Sequence, residues 1–167
     1  MFPLYIAIAL LPIFILVVKA KKIKEAQRQK AAWEERLTKL NPTVLRGVAV
    51  NKEVVSGKKY YPPDILQCDL FLFPDSVVML AKKESWRYPN IIATVLAKQK
   101  DDMLPTVDDC VIIQSVSATE STEEGKVIQL KGKDANYALR TFTISFHHLT
   151  DDQFLTLQAI KPFITAV

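Results

Sequence analysis

The histidines and the paired aspartates are the residues of this chain whose types could bind a metal ion. His147 and His148 are adjacent at the end of a predicted strand. Neighbouring strand residues point to opposite faces of a sheet, so one ion would not easily bind both. Two acidic pairs flank a short segment that contains a proline: Asp101-Asp102 and Asp108-Asp109. Acids in such a connection are usually solvated, and we predict no metal site.

The cysteine, serine and glycine patterns contain no catalytic signature. Cys68 and Cys110 stand alone, without a CxxC motif or the spacing of metal ligands. The four glycines form neither a phosphate-binding loop nor a dinucleotide fingerprint, and no GxSxG is present. Two free thiols suit a reducing compartment, although a disulfide between them stays open. We therefore predict that the protein is not an enzyme and has no cofactor.

The elements that position these residues begin with an uncharged segment, Met1–Val18. As a helix it spans roughly 26 Å, just short of a hydrocarbon core of about 30 Å. Six basic residues, here called the basic cluster, follow it: Lys19, Lys21, Lys22, Lys24, Arg28 and Lys30. The pattern predicts a transmembrane helix at residues 1–18 and a basic juxtamembrane linker at 19–41.

The basic cluster also predicts orientation. Positive flanks stay in the cytoplasm, which puts the N-terminus outside and the following domain in the cytoplasm, at the plasma (inner) membrane. A secretory signal would carry its positive charge before the apolar run and small residues after it. An atypical signal peptide and a buried core helix are the alternatives, and the absence of a polar face weakens the second. Pro12 would leave one carbonyl unpaired in lipid, so either a neighbouring membrane helix covers it or the anchor is solitary and kinked.

The net charge of +4 is unevenly distributed. Residues 1–40 hold eight Lys/Arg against three Asp/Glu, and residues 41–167 hold fourteen against fifteen. The near-neutral domain argues against nucleic acid as a partner, which would require a basic face on the domain itself. The basic cluster instead favours contact with anionic lipid headgroups, at about 1 kcal/mol per basic residue near the surface.

The linker has no Gly or Pro between Ala20 and Leu40 and is predicted to be helical up to Asn41-Pro42. Trp33 and Leu37 lie on a heptad-like stripe with Ala and Lys at places where a coiled coil needs Ile or Leu. This stripe favours packing of Trp33 and Leu37 on an adjacent domain over self-association.

Residues 42–167 change to short runs with β-strand character, followed by one amphipathic helix. Thr150 and Gln153 form a capping box for that helix, and Phe154, Leu157 and Ile160 form its apolar stripe. The predicted strands are Thr43–Val50, Ile65–Phe73, Ser76–Ala81, Ile91–Lys98, Val111–Ala118, Lys126–Lys131 and Leu139–Phe146. Alternation in the last strand puts Phe142, Ile144 and Phe146 on one face, typical of an antiparallel sheet with one buried face.

Two segments, DLFLFPDSVVMLAKK (Asp69–Lys83) and FTISFHHLTDDQFLTLQAI (Phe142–Ile160), carry a resemblance to membrane-tethered bacterial pleckstrin-homology-like domains over roughly residues 44–163. The resemblance implies a mainly-β (α+β) domain with a seven-stranded antiparallel barrel or sandwich, capped at one open end by the C-terminal helix. In eukaryotic members a basic pattern in the first hairpin binds phosphoinositides. Lys58 and Lys59, in the first long connection, are the candidates here, although a solvated loop is the simpler interpretation.

Trp86 and Tyr88 form an aromatic patch that is either a contact surface or packing at a barrel corner. With Trp33 and Leu37 they are the candidate contact residues. The sequence therefore predicts a single-pass, non-enzymatic accessory or scaffold subunit of a larger membrane protein complex. The alternative is a module that senses lipid headgroups.

Overall fold

A computed structural model of the protein describes residues 2–83, 90–99, 109–121, 125–160 and 163, with side chains except those of 2–13, 62–65, 82, 83, 90 and 121. It contains a mainly-β domain with a helix at each end of the chain. The elements are α1 (Phe2–Thr38), β1 (Thr43–Ser56), β2 (Lys59–Leu72), β3 (Ser76–Lys83), β4 (Asn90–Ala97), β5 (Asp109–Ser121), β6 (Gly125–Asp134), β7 (Arg140–Leu149) and α2 (Asp151–Gln158).

The seven strands form a closed barrel in which each strand pairs with the next and β7 pairs with β1. All of these pairings are antiparallel except that of β4 with β5, which is parallel from Thr94↔Asp109 to Ala97↔Ile112. The prediction of an antiparallel barrel is therefore wrong at this seam. A parallel pair needs a crossover connection of about a dozen residues, and residues 98–108 supply that length.

The first hairpin is longer than the sequence predicts. Strands β1 and β2 are paired up to Ser56↔Lys59, so only Gly57 and Lys58 form the turn. Gly57 has a φ of 59°, a left-handed conformation that glycine adopts without steric cost. The predicted long connection at Lys58 and Lys59 is thus wrong: Lys59 begins β2. The predicted tight hairpin at Pro74-Asp75 is confirmed, because the Phe73 N–H donates to the Ser76 carbonyl at 2.9 Å.

The main hydrophobic core fills the barrel interior with alternate residues of the strands. On β7 the core residues Phe142, Ile144 and Phe146 lie on the inward face, as the alternation predicts, and Ser145 and Leu149 are buried as well. Helix α2 adds the fully buried Leu157, and Phe163 packs on Phe146 with their ring centroids 5.8 Å apart.

The capping box of α2 is also confirmed. The Gln153 N–H donates to the Thr150 hydroxyl at 3.2 Å, and the Thr150 N–H donates to the Gln153 side chain at 3.1 Å. Lys126 on β6 reaches the first turn of α2 through an ion pair with Asp151 at 2.8 Å. These contacts fix where the helix begins relative to β6 and β7.

Helix α1 continues through Pro12 and the basic cluster as one element and ends at Thr38, three residues before Asn41. Among the side chains that are described, no helix is sufficiently long and apolar to cross a membrane. For most of the predicted transmembrane segment, residues 1–18, the side chains are not among those described.

Candidate functional site

The last turns of α1 pack on the outer wall of the barrel. Leu37 is 2% exposed and lies in a second hydrophobic cluster, separate from the barrel interior, with Trp33 partly buried beside it. The other buried members of this cluster are Phe71, Val78, Leu80, Ala93 and Val95, on β2, β3 and β4. Trp33 and Leu37 thus pack on the adjacent domain, as the stripe predicts, and Leu37 is not exposed to a further partner.

Four charged residues surround this contact and join α1 to the barrel. The Lys30 ammonium lies 2.6 Å from the Asp69 carboxylate on β2, and Arg46 on β1 lies 3.5 Å from the same carboxylate. Arg46 also pairs with Glu34 on α1 at 3.2 Å. We call Leu37, Trp33 and these four residues the helix–barrel junction.

Asp69 is the most constrained charge of the helix–barrel junction. Burial raises the pKa of its carboxyl, but hydrogen bonds from Lys30 and the Gly47 N–H and the charges of Lys30 and Arg46 outweigh that effect. The pKa of Asp69 is therefore lowered from its ordinary value. The ionised carboxylate is the form that holds α1 on the barrel.

The residues of the basic cluster lie in two different environments. Lys19, Lys21, Lys22, Lys24 and Arg28 are exposed on α1, and Lys22 pairs with Glu25 at 2.9 Å. Lys30 instead contacts Asp69, a pairing that no local sequence pattern predicts. Five cations of the cluster therefore lie exposed on α1, and one of them, Lys22, is already paired with Glu25.

Trp86 and Tyr88, the other candidate contact residues, lie outside the described residues. His147 and His148 have ring centroids 6.4 Å apart. They form a bulge in β7, where the pairing with β6 shifts register and His148 adopts a φ of 53°. Within the described part of the chain, no group of three or more His, Cys, Asp or Glu residues could hold a metal ion.

Sequence reasoning missed a cluster of charged side chains inside the barrel. The Lys52 ammonium donates to Asp109 at 2.6 Å and to the Thr94 hydroxyl at 3.0 Å. Arg140 donates to Asp109 at 2.8 Å and to Asp134 at 3.2 Å. Four of these five residues are buried, and the fifth, Arg140, is partly exposed. We call them the interior charge cluster.

The interior charge cluster joins five strands: β1, β4, β5, β6 and β7. Lys52 on β1 contacts both Thr94 on β4 and Asp109 on β5, the two strands of the short parallel seam. Its ammonium also lies 5.2 Å from the ring centroid of Phe142, a favourable cation–π distance. With two cations and two carboxylates, the cluster is suited to fixing the seam rather than to attracting a charged ligand.

A sequence signal for this cluster existed. Lys52 continues the alternation of Val48 and Val50, both buried in the core, so strand β1 directs its side chain inward. Asp109, interpreted from sequence as a solvated loop acid, opens β5 and is buried, which corrects that interpretation. Asp101, Asp102 and Asp108 lie outside the described residues.

The remaining candidate features are a groove and the cysteines. The groove, about 660 Å³, is lined by Asn41, Thr43, Leu72, Phe73, Pro74, Thr156, Ala159 and Ile160. No disulfide joins Cys68 and Cys110. Burial raises the pKa of the Cys68 thiol, with a smaller contribution from the charge of Asp69, which makes Cys68 a poor nucleophile.

No protein-family model, curated protein or solved structure matches this chain.

Proposed function

We propose that this protein is a membrane-anchored, non-enzymatic scaffold or accessory subunit that holds its barrel in a fixed position for a larger membrane protein complex. Residues 1–18 form the anchor, with the N-terminus outside and the barrel in the cytoplasm. The barrel belongs to the pleckstrin-homology-like group, a proposal supported by seven strands followed by one capped helix.

The helix–barrel junction is the observation that carries this proposal. Helix α1 is continuous from Phe2 to Thr38, about 55 Å, and its last turns pack on β2, β3 and β4. A flexible tether would let the barrel rotate freely, whereas a helix packed through Leu37 and paired through Lys30 restricts its orientation. Such restriction benefits a partner that is held in the same membrane.

Lipid-headgroup sensing is the alternative, and one observation favours it. Five cations of the basic cluster are exposed along α1, directly after the uncharged segment. Each would contribute about 1 kcal/mol at an anionic surface. This contact requires no pocket in the barrel and is compatible with a role as a subunit.

The decisive experiment is extraction of the tagged full-length chain from its native membrane in mild detergent, followed by mass spectrometry of the proteins that accompany it. We expect a reproducible, stoichiometric set of membrane proteins. A second sample carries Leu37→Ala, which loosens the helix–barrel junction, and a matched control carries Leu40→Ala, because Leu40 is 55% exposed. The partners should be lost with Leu37→Ala and retained with Leu40→Ala.

Recovery of the chain without any membrane protein would reject the subunit proposal. Binding to vesicles of anionic lipid would then be compared for the wild-type chain and for a variant with Lys19, Lys21, Lys22, Lys24 and Arg28 changed to Gln. A large loss of binding in that variant would support the lipid-sensing alternative, and equal binding would reject it.

A further inference from the structure

Strand β5 extends well beyond the strand that it pairs with across the parallel seam. Its pairing with β4 covers only Asp109–Ile112, whereas its pairing with β6 continues to Ser121↔Gly125. Strand β6 is itself paired with β7 from Lys126 to Lys133. Among the described residues, no strand pairs with the side of β5 that faces away from β6 beyond Ile112. The segment Ser115–Glu120, here called the β5 edge, is therefore a border of the barrel sheet, which continues from β5 through β6 and β7 to β1.

The β5 edge lacks the features that usually prevent edge-to-edge pairing. Natural edges are protected by lysines, prolines or bulges. The register shift of β5 lies at Gln114, before the edge begins, and Ser115–Thr119 reads Ser-Val-Ser-Ala-Thr without a charge or proline. Apart from Val116, which packs against the core, the residues of the edge are exposed. Their small side chains leave the backbone accessible to another strand.

The charges of the β5 edge select the direction in which a second copy would pair. In antiparallel pairing about Ser117, Glu120 faces Gln114, Ser115 faces Thr119 and Val116 faces Ala118. No like charges meet in this arrangement. Parallel pairing in register would place Glu120 against its own copy, which is unfavourable. A two-fold axis makes the same short surface complementary to itself.

We propose that the β5 edge is a self-association surface, at which two copies of this chain pair antiparallel and join their barrel sheets edge to edge. A second copy of this chain fits the β5 edge because antiparallel pairing about Ser117 brings no like charges together. This inference is independent of the proposed membrane partner, because the β5 edge and the helix–barrel junction involve different strands.

Cysteine cross-linking of the full-length chain in intact cells tests the proposal. Ser115→Cys, Ser117→Cys and Thr119→Cys are made singly and oxidised before extraction. The matched control is Gln67→Cys, an exposed position on β2, a strand that is paired on both sides. We expect disulfide-linked dimers at one of the three edge positions in at least five-fold excess over the control, with lower yields at the other two. This single maximum marks the two-fold axis.

Three outcomes would overturn the proposal: yields no higher than the control, equal yields at all three positions, or linkage to a different protein. A second test places opposite charges at the edge position that gives the highest disulfide yield, for example Ser117→Lys in one copy and Ser117→Glu in the other. Two differently tagged copies are expressed together and one tag is captured. Recovery of the other tag should fall at least five-fold when both copies carry Lys or both carry Glu, and should return when one carries each. Unchanged recovery in all pairs would also reject the proposal.

Discussion

Asp109 is the residue on which the interior charge cluster depends, because it accepts hydrogen bonds from both Lys52 and Arg140. It also lies directly opposite Thr94 at the first pair of the parallel seam. A buried charge is stable only when its partners compensate for the lost hydration. Asp109 contacts both cations, and Asp134 is a second carboxylate partner of Arg140. The cluster therefore affects barrel closure more than it affects surface chemistry.

We predict that Asp109→Ala lowers the free energy of unfolding by about 3–5 kcal/mol, because it removes one partner of a buried ion pair. Denaturant unfolding of the full-length chain measures the change. Asp152→Ala, at an exposed position in the first turn of α2, serves as the control and should cost no more than about 0.5 kcal/mol. Equal effects of the two substitutions would mean that the interior charge cluster does not stabilise the fold.

At the scale of elements, the connection between α1 and the barrel combines an apolar contact with an ion network. Leu37 supplies the apolar contact, and Lys30, Glu34, Arg46 and Asp69 supply the charges. The charged side chains are unequally exposed, since Lys30 is 39% and Asp69 10% exposed. The apolar contact should therefore contribute more to stability than the ion pairs, which solvent screens.

Leu37→Ala should lower the free energy of unfolding by about 2–4 kcal/mol, since it leaves a cavity between α1 and the barrel wall. Leu40→Ala, three residues after Leu37 and at a 55% exposed position, should change it by no more than about 0.5 kcal/mol. Denaturant titration followed by the fluorescence of Trp33, in a Trp86→Phe background, reports on this contact directly. A similar cost for both substitutions would contradict the packing of Leu37.

The lowered pKa of Asp69 predicts a pH dependence of the same contact. Because the folded carboxyl has a lower pKa than the unfolded one (about 3.9), its contribution to stability is present above that value and is lost as the pH falls through the folded pKa. The contribution should be about 1 kcal/mol, as expected for a partly exposed pair.

Asp69→Asn should remove the loss of stability that protonation of Asp69 causes below about pH 4. The pH dependence that comes from other groups should stay unchanged. Trp33 fluorescence during unfolding at a series of pH values, again with Trp86→Phe, measures it. Parallel pH profiles for the wild-type chain and Asp69→Asn would show that Lys30 and Arg46 do not stabilise the carboxylate.

At the scale of the whole molecule, the proposed function and the proposed dimer use different parts of the chain. The helix–barrel junction involves α1 with β1 to β4, and the β5 edge is the border of the barrel sheet next to β6. One barrel could therefore be held by its anchor on one side and pair with a second copy on another. A complex with membrane partners would then contain the protein in pairs.

The proposed topology predicts that a reporter fused after Val167 is active only in the cytoplasm, because the basic cluster holds that side of the anchor inside. Two reporters, one active in the cytoplasm and one active outside it, are compared at the same fusion point. Changing the five exposed cations of α1 to Gln should weaken the orientation. Activity of the outside reporter in the wild-type chain would refute both the topology and the reducing compartment inferred for the cysteines.

Much of the architecture could be predicted from local patterns. The number and order of strands, the inward face of β7 and the capping box at Thr150 depend on neighbouring residues, so the sequence contains their signals. The packing of Leu37 followed from an apolar stripe that was too weak for a coiled coil. Local periodicity is sufficient for such features because each depends on the repeat of a single element.

The sequence by itself determined which elements form and which of their faces are apolar. Only the tertiary structure decided which strands meet: the parallel seam of β4 and β5, the Asp109 carboxylate between Lys52 and Arg140, the Lys30–Asp69 pair and the exposed β5 edge. Asp109, for example, lies 57 positions from Lys52 and 31 positions from Arg140 in the sequence. Their geometry follows from how the barrel closes, and no local pattern of residues contains that information.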